Sequence, residues 1–241
     1  MKYITLFFAL VFFPALSFAQ MLPTSSQKPE GSILLIWESQ SYVPPFYKGK
    51  TLHARGGTVR IVAFPDAFLG NPDQLIYRWK IDGIVYQQNS GIGKKTIDIQ
   101  TSNLDASLLV VSEVLDGNGN VRAVGVTRVS PVAPFVLFYE NAPLGGIKFS
   151  HSYEQSVLLD KKEHTFEAYP YFFSIVSRTD PEMLYEWSMN RWALGKETPN
   201  LTVQTPESGG STNISFSAYH TKKIFQRSDV SLRVTFEGSD L

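Results

Sequence analysis

The chain has 241 residues, and its 22 Lys and Arg balance 22 Asp and Glu to a formal net charge of zero. A balanced chain lacks the basic face that displaces counterions from phosphate backbones, which sets aside nucleic acid as a partner. It also offers no excess of cations to an anionic membrane surface. With 43% hydrophobic and 18% charged residues it has the apolar content to fold, and its length suits two domains of about 100 residues each.

The first residues read as an export signal. Lys2 supplies the positive end, residues 4–13 form an apolar run that Pro14 interrupts, and Ser17-Phe18-Ala19 places small residues before a cut at Gln20. Residues 1–19 are therefore expected to be a cleavable signal peptide. The run falls short of the roughly 20 residues of a transmembrane helix, so no direct membrane span is expected in the mature chain. No Cys follows the cut, which argues against a lipid anchor, and the chain has no Cys at all. Small exported domains often rely on disulfides; an exported chain without them fits a bacterial envelope or medium. In that setting the two Asn-x-Ser/Thr triplets at Asn200 and Asn213 are read as coincidental.

Residues 20–31, rich in Pro, Ser, Thr and Gln and without periodicity, read as a flexible leader. Ser32 to Glu38 is the first predicted strand, and residues 57–65 are the next. After Asn71-Pro72-Asp73-Gln74 comes Leu75-Ile76-Tyr77-Arg78-Trp79-Lys80-Ile81-Asp82-Gly83. Its odd positions are apolar up to Ile81 and Arg78 and Lys80 lie between them, the period-two pattern of a strand with one buried and one wet face. Asp82-Gly83 is a hairpin turn signal. Further strands are predicted around Thr96 to Ile99, Leu108 to Val111 and Val124 to Val129.

The same series then recurs. Pro134 to Glu140 answers the first strand and 163–170 the second. Met183-Leu184-Tyr185-Glu186-Trp187-Ser188-Met189-Asn190-Arg191 answers the Trp79 segment, and Asn200 to Val203, Ile214 to Ala218 and Val230 to Phe236 answer the rest. Aligning Trp37 with Tyr139, Pro65 with Pro170 and Trp79 with Trp187 gives a repeat of about 105 residues, too long for a solenoid unit and right for a seven-stranded sandwich. The predicted organisation is all-β: two tandem immunoglobulin-like antiparallel β-sandwiches at 32–129 and 135–237, joined by a Pro-containing linker at 130–134 and followed by a tail at 238–241. Trp79, Trp187, Tyr77 and Tyr185 are expected to define the two cores. Pro131 and Pro134 favour a semi-rigid spacer that sets the sandwiches end to end.

Tyr77, Trp79, Asp82 and Gly83 resemble the central strand of bacterial immunoglobulin-like and PKD-like extracellular domains. The fuller set, Trp37-Glu38, the stretch Tyr42 to Lys50, and Ala168 to Ser174, resembles exported proteins of candidate-phylum bacteria. The resemblance covers essentially the whole mature chain; it implies a sandwich fold and export, and brings no activity with it.

Chemistry is hard to find. His53, His151, His164 and His220 are scattered without a His or Cys at ligand spacing, and neither a nucleophile elbow nor a phosphate-cradling loop is present. Asp160, Glu163, Glu167, Asp180 and Glu182 fall at turns or on outward strand positions, where solvated charges belong. Asp116-Gly117-Asn118-Gly119-Asn120 has oxygens at alternate positions but no Glu at the twelfth, and reads as a hairpin turn in preference to a calcium loop. No cofactor and no metal are expected. The candidate ligand-binding residues are aromatic and flanked by proline: Tyr42, Pro44, Pro45, Phe46 and Tyr47 in a stretch where two prolines forbid an internal strand, and Tyr171 and Phe172 beside Pro170. These rings either cap the sandwiches as core or form a sugar- or protein-binding surface. Trp192, where the first copy has Ile84, is expected to be partly buried. The expected role is a non-catalytic exported binding, adhesion or spacer module whose partner is a protein or glycan at the bacterial cell surface. The alternatives are a subunit of a surface appendage or envelope assembly, and a hydrolase or its accessory module acting on polysaccharide or peptide.

Overall fold

A computed structural model describes residues 29–103 and 106–237. The expected signal peptide at 1–19, the expected leader up to residue 28 and the expected tail at 238–241 lie outside the described residues.

The first half contains β1 (Gly31–Ser39), β2 (Thr58–Pro65), β3 (Ile76–Ile81), β4 (Ile84–Val85), β5 (Gly91–Ile92), β6 (Thr96–Gln100), β7 (Leu108–Leu115) and β8 (Val121–Val129). One layer runs β1-β2-β6. The other runs β4-β3-β7-β8, with β5 also paired to β3. Strand β1 belongs to both, because Gly31 and Ser32 pair in parallel with Ala123 and Val124 before Ile33 onward turns antiparallel to β2. That crossing needs Gly125, where a Cβ would stand 2.3 Å from the Ile33 carbonyl oxygen. The alternation in β3 has its expected result: Tyr77, Trp79 and Ile81 are buried against Ile61, Ile97 and Val110. The indole is not left unsatisfied, since Trp79 Nε1 donates to the Lys94 carbonyl at 2.7 Å.

The second half contains β9 (Phe135–Ala142), β10 (Gly146–Tyr153), β11 (Ser156–Leu159), β12 (Glu163–Tyr171), β13 (Met183–Met189), β14 (Trp192–Ala193), β15 (Asn200–Gln204), β16 (Gly210–His220) and β17 (Arg227–Phe236). Its layers are β10-β9-β12-β15 and β11-β17-β16-β13-β14. In each half the first, second and fifth main strands form one sheet and the third, sixth and seventh the other, the arrangement of an immunoglobulin-type sandwich. The fold is all-β and immunoglobulin-like, twice over.

The duplication extends to single hydrogen bonds. Trp187 Nε1 donates to the Thr198 carbonyl at 2.8 Å as Trp79 does to Lys94. In the first hairpin turn Asp82 N–H donates to Leu109 O and Asp82 Oδ1 accepts from Leu109 N–H, both at 2.9 Å. In the second, Asn190 N–H donates to Asn213 O at 2.9 Å and Asn190 Oδ1 accepts from Asn213 N–H at 3.1 Å. Both turns place their two central residues at positive φ, Asp82 and Gly83 at 49° and 83°, Asn190 and Arg191 at 48° and 74°.

Strand register corrects the sequence alignment at one point. Ile33 faces Pro65 and Val136 faces Pro170, so Trp37 corresponds to Glu140 and not to Tyr139. One residue of slip exchanges the faces of a strand. Trp37 accordingly leans on the first core, whereas Tyr139 looks outward and Glu140 turns inward. The inward carboxylate is matched by an element the first half lacks: hairpin β9–β10 brings Lys148 Nζ to 2.9 Å, and Lys161 reaches it at 2.5 Å. Burial alone pushes the Glu140 carboxyl up, but hydrogen bonds from Lys161 and Lys148 overcome it and hold the group at about 2.

Candidate functional site

Residues 40–57, between β1 and β2, do not stay with the half that carries them. Tyr42 N–H donates to Phe173 O at 2.7 Å and Tyr42 O accepts from Phe172 N–H at 2.7 Å, a strand-like exchange with the second half. The Tyr42 ring packs against the second core, and burial pushes its phenol pKa up, with Arg178 opposing. A turn closed by Tyr47 N–H to Pro44 O at 2.9 Å then projects two rings onto the outer face of β9 and β12. Phe46 stacks on Phe149 at 3.8 Å and meets Tyr139 and Tyr169 edge-on at 5.5 Å each; Tyr47 meets Tyr171 and Phe172 edge-on at 5.8 Å each. Such geometries are favourable beyond the area they bury. Tyr139 and Tyr171 share a hydroxyl hydrogen bond at 2.8 Å, and the Arg178 guanidinium lies 4.3 Å above the Tyr169 ring while binding Glu167 at 2.9 Å.

The structure thus brings Phe46, Tyr47, Tyr171 and Phe172 into one cluster. Tyr171 and Phe172 are each 4% exposed and Pro44 is buried; Tyr42, Phe46 and Tyr47 are half-buried, and Pro45 is the exposed member. These rings form a packed joint between the halves. Glu167, read from sequence as a solvated outward charge, is buried under this joint for the same reason. A second fastening lies alongside. Fully buried Gln226 donates from Nε2 to Arg55 O at 2.7 Å and to Ser174 Oγ at 2.8 Å, while its Oε1 accepts from Ser174 N–H at 2.8 Å. Val132 of the connector donates to His53 O at 2.9 Å. No sequence signal for this cross-packing exists beyond the density of rings beside prolines.

The register that equates Leu34 with Leu137, Ile36 with Tyr139 and Phe64 with Tyr169 shows what the joint covers and what stays bare. In the second half these outward positions lie under the 40–57 segment. In the first half Leu34 and Phe64 are 62% and 51% exposed, with Ile36 and Phe68 exposed beside them. Across the same face runs a charged row in which Arg60 sits between Glu38 and Asp98 and pairs with Asp98 at 2.8 Å.

Trp192 corrects an expectation: it is 80% exposed. It sits on the two-residue edge strand β14, which has a neighbour on one side alone, so nothing closes over the ring. The Asp116 loop is the β7–β8 turn, and its carboxylate is taken up within it: Oδ1 accepts from Asn118 N–H at 2.9 Å and Asn120 N–H at 2.8 Å, and Oδ2 from Asn120 Nδ2 at 3.0 Å. Among the described residues no three His, Cys, Asp or Glu side chains converge as metal ligands.

No family model matches the chain, and no curated protein matches it in sequence. Solved structures with a similar fold include three N-terminal domains of the bacteriophage RB49 Highly Immunogenic Outer Capsid protein, at 11% identity and a TM-score of 0.45 over 86% of this chain and 59% of that one. They also include fibronectin(III)-like modules of Clostridium thermocellum CbhA, at 13% identity and a TM-score of 0.27 over 85% of this chain and 95% of that one. A third is a putative membrane anchored protein from Corynebacterium diphtheriae, at 10% identity and a TM-score of 0.32 over 89% and 60%. The chain spans about three-fifths of the phage structure's length. Strand order and register remain the ground for the fold assignment.

Proposed function

We propose that the chain is an exported, non-catalytic binding or spacer module of a bacterial cell surface, built of two domains at 32–129 and 135–237, with a surface protein or glycan as its partner. The observation that carries this is the joint: Tyr42, Phe46 and Tyr47 are committed to holding one sandwich against the next, which suits a part whose task is to keep a fixed span. The bare Leu34, Ile36 and Phe64 face supports a contact role, since contiguous exposed apolar surface marks interaction sites in soluble proteins. The test is to incubate residues 20–241, fluorescently labelled, with cells of the producing organism and with surface polysaccharides and peptides. Saturable binding without product release is expected; turnover of any of these polymers would refute the reading.

The same bare face favours a second reading, a subunit of a surface assembly in which copies pack face to face. Filaments or concentration-dependent oligomers of the purified protein, abolished by Ile36→Glu, are its expected signs.

A further inference from the structure

The open side of the second sandwich holds a slot of about 580 Å³ between the β15 edge of one sheet and the β13–β14 edge of the other. Met189, Leu194, Leu201, Val203 and Phe236 line it, and so does Thr212. The Thr212 hydroxyl is buried without a hydrogen-bond partner among the described residues, in a residue that is 9% exposed. A buried hydroxyl left unpaired is costly, so a position that keeps one beside an open slot points to a group that arrives from outside.

The first half shows what this place looks like when closed. Register equates Thr212 with Leu108, because Ile81 faces Val110 as Met189 faces Ile214, and Leu108 packs against its core. The stretch between β4 and β6, residues 86–95, is ten residues long and lays β5 along β3; its counterpart between β14 and β15, residues 194–199, is six long and carries no strand. The shorter connector leaves β13 without the strand that covers Ile76 and Tyr77 in the first half. The slot lies at the other end of β13, at Met189, where Thr212 stands in the place of Leu108.

One wall of the slot is a strand edge that is unpaired among the described residues. Ala168 N–H donates to Pro199 O at 2.7 Å and Thr205 N–H to Lys162 O at 2.9 Å, so odd-numbered residues of β15 face β12. In an antiparallel ladder the N–H and C=O of one residue point the same way. Thr202 and Gln204, both lining the slot, then turn their N–H and C=O outward from a strand that ends its sheet. On the opposite wall Met189 pairs across the hairpin with Trp192, which sets that exposed indole beside the mouth.

We infer that this slot is a strand-addition site for an extended partner peptide, which pairs its backbone with Thr202 and Gln204 of β15 and inserts one tyrosine- or tryptophan-type side chain. Such a side chain joins an apolar body to a single polar tip. The body fills the space over Phe236, Leu201 and Val203, and the tip meets the Thr212 hydroxyl. Backbone pairing supplies affinity and the pocketed side chain supplies selectivity, as in other edge-strand recognition.

The inference rests on the binding-module reading and adds a partner class to it. The experiment selects random ten-residue peptides displayed on phage against immobilised residues 20–241, then measures each enriched peptide on variants. Enriched peptides with a Tyr or Trp flanked by alternating polar residues are expected. Thr202→Pro, which removes an N–H that the fold does not use and which an edge strand tolerates, should weaken them at least about tenfold. Thr212→Val should erase the preference for Tyr over Phe. Hydrogen exchange at the Thr202 and Gln204 amides should slow when peptide is added, a readout that does not depend on either variant. No enrichment over blank matrix, or enriched peptides that bind Thr202→Pro as well as the parent, overturns the inference. If those same peptides instead lose binding to Ile36→Glu, the slot falls while the binding-module reading stands.

Discussion

Tyr42 N–H donates to the carbonyl of Phe173 at 2.7 Å, and this one bond ties a segment of the first sandwich to the strand end of the second. Around it the halves share rings, a buried glutamine and the connector backbone. Their unfolding should therefore be one event. Phe46→Ala removes the ring that touches Tyr139, Phe149 and Tyr169, and should cost about 2–4 kcal/mol. Calorimetry is expected to show one transition for the parent and two for this variant, because the lost contacts are those between halves.

The second hairpin turn carries avoidable strain. Arg191 adopts φ 74° where Gly83 holds the same place at 83° in the first turn. A left-handed non-glycine residue costs roughly 1 kcal/mol. Arg191→Gly should therefore raise the unfolding free energy by about that amount, read as a higher urea midpoint with an unchanged slope, whereas Gly83→Arg should lower it.

Glu140 makes the second sandwich acid-sensitive. Its folded pKa is about 2 against an ordinary 4.5, so its contribution is present above about 4.5 and is lost as pH falls toward 2. Both lysine partners stand about half in water, at 50% and 45% exposure, and screening reduces the contribution to about 1 kcal/mol. Glu140→Gln should be less stable than the parent at pH 7 and should lose less on acidification from pH 5 to pH 2, read by urea melts at each pH.

His53 has the opposite starting point. It is fully buried at the joint, its ring edge-on to Trp37 at 5.9 Å, and neither ring nitrogen has a partner among the described residues. Burial pulls its pKa from 6.5 to about 4. Between those values the unfolded chain binds a proton that the folded chain refuses, so stability falls as pH drops from about 6.5 to about 4. After allowance for screening the loss is on the order of 1–2 kcal/mol. His53→Leu should be at least as stable at pH 7, since it removes two unpaired nitrogens, and should show a shallower loss between pH 6.5 and pH 4.

Much of this architecture is legible in the sequence. Alternation around Trp79 and Trp187 declared two strands with one wet face each, and Asp82-Gly83 declared the hairpin, because those features are local and periodic. Other features escaped for physical reasons. Strand β10 alternates no buried face, since most of its residues are exposed, and so carries no strand signal in sequence. The aligned pair Trp37 and Tyr139 looked equivalent as bulky rings, yet register separates them by one residue and hence by a face. The rings at Tyr42, Phe46 and Tyr47 were visible as a group with two open fates. Their joint with Tyr139 and Tyr169 depends on contacts far apart in sequence, which no local pattern encodes. The slot at Thr212 carries no local signal because its lining comes from β13, β15, β16 and β17, which are far apart in sequence.

The most direct test of the locked joint is backbone ¹⁵N relaxation on residues 20–241 in solution. If Tyr42 and its neighbours weld the sandwiches together, amides of both halves must report a single overall tumbling with one diffusion tensor. Two separate and shorter correlation times, one for each half, would show a flexible tether and contradict the account.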